Sequence, residues 1–179
     1  IGRPSAAAFL ARGMLVALAH IDAALVENVA RDIGASALAL DVTNAEEFER
    51  VVDNVERALG PLDVLVNNAG IMPVGPFLDE SAATTRRIVD INVHGVLNGM
   101  KILLPRFVAR RRGHLVNVAS MAAKVPAPGG VTYTGTKHFI LGASDAVRQE
   151  LRGTGVEVTC LMPGPVLTEM MAGLRPARG

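Results

Sequence analysis

Short apolar runs alternate along the chain with longer stretches in which apolar positions recur every three or four residues. Leu15–Ala19, Ala37–Leu40, Val64–Asn67, Leu115–Ala119 and Val156–Leu161 have the length and aliphatic content of buried strands. Around them, Pro4–Arg12, Asp22–Ile33, Asn44–Leu59, Ser81–Arg112 and Val131–Leu151 follow helical spacing. Punctuation at the ends agrees with this division. Pro4 stands early in a helix, Asp22 is placed to cap one, and Asn44 with Glu47 forms the pattern of a capping box. Gly13, Gly34, Gly60 and Gly113 are the expected stops. Strands alternating with helices imply right-handed crossovers, so the predicted fold is α/β: a doubly wound parallel sheet with helices on both faces.

Composition narrows this further. Half of the 179 residues are hydrophobic, but only 3% are aromatic. Ala, Val and Leu therefore carry the core, which suits parallel strands covered by helices better than an all-β sandwich. The net charge of +1 gives no electrostatic case for a nucleic-acid or anionic-membrane partner. Arg106-Phe-Val-Ala-Arg-Arg-Arg is the one basic run, and its place at a predicted helix end marks it as a helix C-terminus rather than a phosphate site. A single cysteine, Cys160, precludes an internal disulfide and fits a cytoplasmic location. The four histidines have no metal-ligand spacing, so no metal site is expected, and no apolar run approaches a membrane span.

Parallel sheets bind ligands beyond the carboxyl ends of their strands. Asp41-Val42, Asn67-Asn68-Ala69-Gly70, Ser120 and Pro163-Gly164-Pro165-Val166-Leu167-Thr168 all fall at such ends. Each could be an ordinary turn, but together they outline one polar edge. Tyr133, the only tyrosine, opens a helix after the loop Val125-Pro-Ala-Pro-Gly-Gly, and Lys137 follows four residues later on the same helical face. A cation there favours ionised phenol, typically by roughly 1–3 pH units for an adjacent charge. Ser120 can hydrogen-bond an oxygen from the other side. These three groups describe proton transfer at a C–O bond.

With Asn92 inside Ile91-Asn-Val, these motifs resemble the short-chain dehydrogenase/reductase family over nearly the whole chain. The resemblance implies a Rossmann-type oxidoreductase domain over residues 1–179. Its activity would be hydride transfer between a nicotinamide cofactor and a secondary alcohol or ketone. Tyr133 would be the acid/base and Ser120 would polarise the substrate oxygen. Lys137 would serve both phenol and ribose, and Asn92 would complete a proton relay. Cofactor contacts would fall to Ile1, Gly2, Asp41, Val42, Asn68, Ala69, Gly70, Tyr133, Lys137, Pro163, Gly164, Val166 and Thr168. The cofactor is NAD or NADP. No paired basic residues stand at the second strand end, which holds His20, so NAD is favoured, although Arg3 could approach a 2′-phosphate. Because Ile1-Gly2 matches only the end of the family's glycine-rich motif, the domain is expected to be incomplete at both termini and to lack its first strand. Family members pair the helices corresponding to Ser81–Arg112 and Val131–Leu151, implying a homodimer or homotetramer. Ile71-Met-Pro-Val-Gly-Pro-Phe-Leu with Met121, Met170 and Met171 could line an apolar substrate pocket. Two alternatives are a non-catalytic Rossmann-type nucleotide-binding or regulatory protein, and epimerisation or dehydration of nucleotide sugars on the same fold.

Overall fold

The computed structural model describes residues 1–126 and 128–165. Within them, six α-helices are α1 (Gly2–Leu10), α2 (Ala23–Ile33), α3 (Ala45–Leu59), α4 (Ala82–Val89), α5 (Gly95–Arg110) and α6 (Val131–Glu150). The strands are β1 (Ala17–His20), β2 (Ser36–Ala39), β3 (Val64–Asn67), β4 (Gly113–Val118) and β5 (Val156–Leu161). All pairings are parallel. β1 pairs with β2 from Ala17 opposite Ser36, while β4 lies between β3 and β5, with Leu115 between Leu65 and Val158. The fold is Rossmann-like α/β, as expected, but the parallel sheet is in two pieces among the described residues: β1-β2 and β3-β4-β5.

Local signals account for most element ends. The Asp22 carboxylate accepts the Leu25 N–H and caps α2, and Gly34 closes it in the left-handed region. Asn44 caps α3 by accepting the Glu47 N–H at 3.0 Å. The reciprocal half of the capping box does not form. Glu47 accepts the N–H of Asp41 instead, tying α3 back to the end of β2.

Gly113 is not a helix stop. Arg111 takes the left-handed position at φ 53°, at a cost of roughly 1 kcal/mol for a residue with a Cβ, and Gly113 already belongs to β4. The reason is steric: a Cβ on Gly113 would lie 2.1 Å from the Phe107 ring, which is fully buried. Glycine is kept for close packing, so the turn falls to its neighbour.

Two apolar clusters hold the helices. Leu40, Phe48, Val52, Leu103 and Phe107 join α3 to α5. Val96, Met100, Leu115, Ala119, Ala123, Ile140 and Val158 fasten α5 and α6 to β4 and β5. The basic run reinforces the first seam. Arg106 pairs with Asp53 and Glu56, and Arg110 bonds Glu56 and the Leu62 carbonyl. Burial alone would raise the Glu56 carboxyl, but hydrogen bonds from Arg106, the Leu62 N–H and Arg110 hold it below its ordinary value. The two arginines therefore bind α3 side chains as well as ending α5.

The predicted helix Ser81–Arg112 is broken in the middle. Asp90–His94 form a π-helical turn between α4 and α5. That turn places a wholly buried Asn92 against the loop after β3.

Candidate active site

Tyr133 and Lys137 lie in the first turns of α6, and both are almost fully enclosed, at 9% and 5% exposure. β4 runs alongside, and the Lys137 ammonium donates a 2.9 Å hydrogen bond to the carbonyl of Val118 at its end. The same nitrogen stands 5.6 Å from the centre of the Tyr133 ring. No carboxylate pairs with it among the described residues. Burial pulls its pKa from 10.5 to about 8, with Cys160 the smaller, opposing influence. Lys137 is thus a cation held at a sheet edge by one carbonyl and by packing.

Two residues beyond Val118, Ser120 opens a short 3₁₀ turn, Met121–Ala123, and its oxygen accepts the Ala122 N–H at 3.1 Å. That contact fills an acceptor position and leaves the hydroxyl proton free to donate. The Met121 N–H bonds the carbonyl of Pro163, placing the end of β5 beside the serine.

Asn92 acts as a side-chain imitation of a neighbouring strand. Its Oδ1 accepts the Ile71 N–H at 2.9 Å, and its Nδ2 donates to the Ile71 carbonyl at 3.0 Å and to Thr136 Oγ1 at 3.2 Å. Thr136 in turn donates to the Tyr133 carbonyl. One amide therefore ties the loop after β3 to the helix that carries Tyr133. The π-helical turn, a local departure often found at functional sites, is what points it there.

Gly70 completes the convergence. A Cβ built on it would be 3.2 Å from Asn92 Oδ1 and 3.7 Å from Lys137 Nζ, so the bare backbone keeps this space open. Lys137 uses one of its three N–H donors on Val118, and the remaining two suit vicinal ribose hydroxyls. On this observation, the residues present fit the nicotinamide ribose of a dinucleotide.

The other sequence-predicted residues are placed less uniformly. Gly2, at the start of α1 beside Ile1, faces Asn68, with a notional Cβ 3.2 Å from its amide. Asn68 and Ala69 are exposed after β3. Asp41 accepts the N–H and hydroxyl of Thr43, and the Val42 carbonyl accepts from Asn98. These two residues sit at the end of β2, on the other sheet piece. Pro163 and Gly164 follow β5, whereas Val166, Thr168, Met170 and Met171 lie outside the described residues. Arg3 pairs with Asp32 on α2, and the His20 ring accepts the Asp22 N–H.

The mouth of the site is mostly apolar, with Arg87 its one charged residue among the described residues. Gly70, Ile71, Met72, Pro73 and Arg87 line an open depression there. Met121, Val74 and Phe77 are partly exposed and Leu78 almost wholly so.

Sequence reasoning missed a buried polar chain beneath this edge. Asn67 donates to Asn117, and Asn117 donates to Ser144. The signal was present as an asparagine inside the apolar run of β4, which a fully buried position tolerates only when its amide is paired. Glu80 and Thr132 were also missed. Glu80 Oε1 accepts the hydroxyls of Thr85 at 2.7 Å and Thr132 at 2.5 Å.

Comparison with known proteins places the chain in a family. Residues 1–179 match the family described as short chain dehydrogenase. The chain is 38% identical over 178 residues to the probable oxidoreductase EphD of Mycobacterium tuberculosis, covering 96% of this chain and 30% of that protein. It is 35% identical over 187 residues to 1-deoxy-11-beta-hydroxypentalenate dehydrogenase of Streptomyces exfoliatus, covering 100% of this chain and 68% of the relative. The crystal structure of serine dehydrogenase from Escherichia coli superposes with a TM-score of 0.83 at 29% identity, over 88% of this chain and 74% of that one. The chain thus spans under a third of the mycobacterial relative and about two thirds of the Streptomyces one.

Proposed function

This chain belongs to the short-chain dehydrogenase family, and from that premise we propose that it is a nicotinamide-dependent oxidoreductase acting on a secondary alcohol or its ketone. The observation that carries the reading is the buried Lys137, close to the only tyrosine and without a carboxylate partner among the described residues. Burying an ammonium is costly, and a structural role would be met more cheaply by an apolar side chain. A cation kept there stabilises the anion left when Tyr133 gives up its proton.

In this reading Ser120 donates its free hydroxyl proton to the substrate oxygen, orienting it toward the Tyr133 phenol. In reduction Tyr133 supplies a proton to that oxygen, and in oxidation it removes one. Lys137 holds the nicotinamide ribose through its remaining donors. Asn92 keeps Gly70 and Ile71 at the correct distance from α6, and its contact with Thr136 continues to the Tyr133 backbone. Gly2, Asn68, Ala69, Asp41 and Val42 would hold the adenosine half, with Pro163, Gly164, Val166 and Thr168 near the carboxamide. When bound, the cofactor supplies or accepts the hydride. NAD is favoured over NADP because Arg3 is engaged by Asp32 and no second basic residue stands at the β1 end. The exposed apolar side chains at the mouth, and the naming of the Streptomyces relative for a hydroxylated compound, support a lipophilic alcohol as the reduced partner.

Following nicotinamide absorbance against a panel of alcohols and ketones, with NAD and NADP in parallel, tests this reading. Cofactor binding without turnover on any member would instead leave the non-catalytic binding protein.

Assembly as a homodimer or homotetramer belongs to the same proposal, and only part of the two helices is free for it. Leu103 is fully buried within the chain, a Cβ on Gly99 would strike Asn67, and Val147 packs on the α6 core. Ala143, Ala146 and the 40%-exposed Phe139 remain on α6 for a partner. Light scattering at micromolar concentration should give a multiple of the monomer mass, and a monomer mass alone would remove the proposal.

A further inference from the structure

Resting on the acid/base reading of Tyr133, we propose that Glu80 is a positioning residue that sets the register of the first turn of α6, and hence of the phenol. Two threonine hydroxyls from different elements converge on one oxygen of its carboxylate: Thr85 from α4 and Thr132, the residue before Tyr133. The Thr85 contact is local, but the Thr132 contact is not predictable from local sequence spacing, since Thr132 lies 52 residues away.

The site needs such a clamp. α6 is preceded at its N-cap by Gly130, which offers no side-chain cap, and its first turn carries no acidic residue. A long helix whose exposed N–H groups and positive dipole end lack compensation frays at that end. Tyr133 is the third residue of α6, inside the turn that would fray. Glu80 brings a carboxylate from outside the helix to this turn. It also immediately precedes Ser81, which caps α4, so one side chain braces the first turns of two helices. A second tie stands nearby, where the Gly75 N–H donates to the Gly129 carbonyl and joins the mouth segment to the loop before α6. On the far side, the contact from Asn92 through Thr136 holds the next turn. Tyr133 thus lies between Thr132, tied to Glu80, and Thr136, tied to Asn92.

The test compares Glu80→Ala, Glu80→Gln and Thr132→Val in the wild-type protein. Glu80→Ala should lower kcat about tenfold, since small misplacements of a reacting group are costly, and leave cofactor affinity within about twofold. Glu80→Gln keeps an acceptor oxygen but loses the charge, and should fall between Glu80→Ala and wild type. Thr132→Val should lose as much as Glu80→Ala, and the double variant no more than either. Independently of activity, amide hydrogen exchange at Thr134 and Gly135 should quicken in Glu80→Ala and Thr132→Val. Wild-type kcat in both of these variants, or a loss in Glu80→Ala that Thr132→Val does not share, overturns the proposal. If the wild type turns over no alcohol or ketone, the oxidoreductase reading fails, and unchanged exchange at α6 would by itself overturn the clamp.

Discussion

Tyr133→Phe should lower kcat by about 10²–10⁴-fold, the usual contribution of a placed proton donor, while cofactor affinity and melting temperature stay close to wild type. The ring is nearly enclosed, so Phe preserves the packing and removes only the hydroxyl. Among the described residues that hydroxyl makes no hydrogen bond to protein, so its loss strands no buried partner. A rate defect without a stability defect is what an acid/base role requires, because the proton matters only in the transition state. Steady-state kinetics with thermal melts on the same preparation decides the matter. Retention of most of the wild-type kcat would exclude Tyr133 as the acid/base.

Lys137→Met should lose rate and cofactor affinity together, since the ammonium is assigned to both phenol and ribose. Normal rate with weakened binding alone would count against the first assignment. Its effect on stability should run the other way. Burial lowers the folded-state pKa from 10.5 to about 8. At pH below about 8 the ammonium is charged both folded and unfolded, so folding carries the full desolvation penalty. Between about 8 and 10.5 the folded protein is neutral there while the unfolded chain still holds the proton, and the penalty fades. A shift of this size corresponds to roughly 3 kcal/mol, reduced by whatever the hydrogen bond to Val118 returns. Lys137→Met should therefore melt higher than wild type at pH 7, and the gap should close by pH 10.5. Equal melting temperatures at pH 7, or a gap unchanged with pH, would show that burial does not strain this residue.

A buried ammonium of this kind is visible only in part from sequence. The spacing of Tyr133 and Lys137 put both on one helical face, and the apolar run of β4 placed Ser120 at a sheet edge. Burial of Lys137 against the Val118 carbonyl came from packing α6 onto β4. In the same way, Asn92 stood out as a poor helix-interior residue, but its partner was not legible. Ile71 is 21 residues distant, and the contact depends on a π-helical turn that no local propensity signals.

By itself the sequence determined the alternation of elements, the capping of α2 by Asp22 and α3 by Asn44, and the polar strand ends where a site could form. These rest on interactions within about one helical turn or on the two-residue period of a strand, so they are written in consecutive residues. Tertiary structure decided the rest. It divided the described sheet into two pieces, made Gly113 a packing contact and moved the turn to Arg111. It also assigned Arg106 and Arg110 to Glu56 and joined Asn67, Asn117 and Ser144 in a buried chain. Each of these depends on which surfaces meet across many residues of chain. Volume and hydrogen-bond satisfaction in the core select the partner there, and no local pattern carries that information.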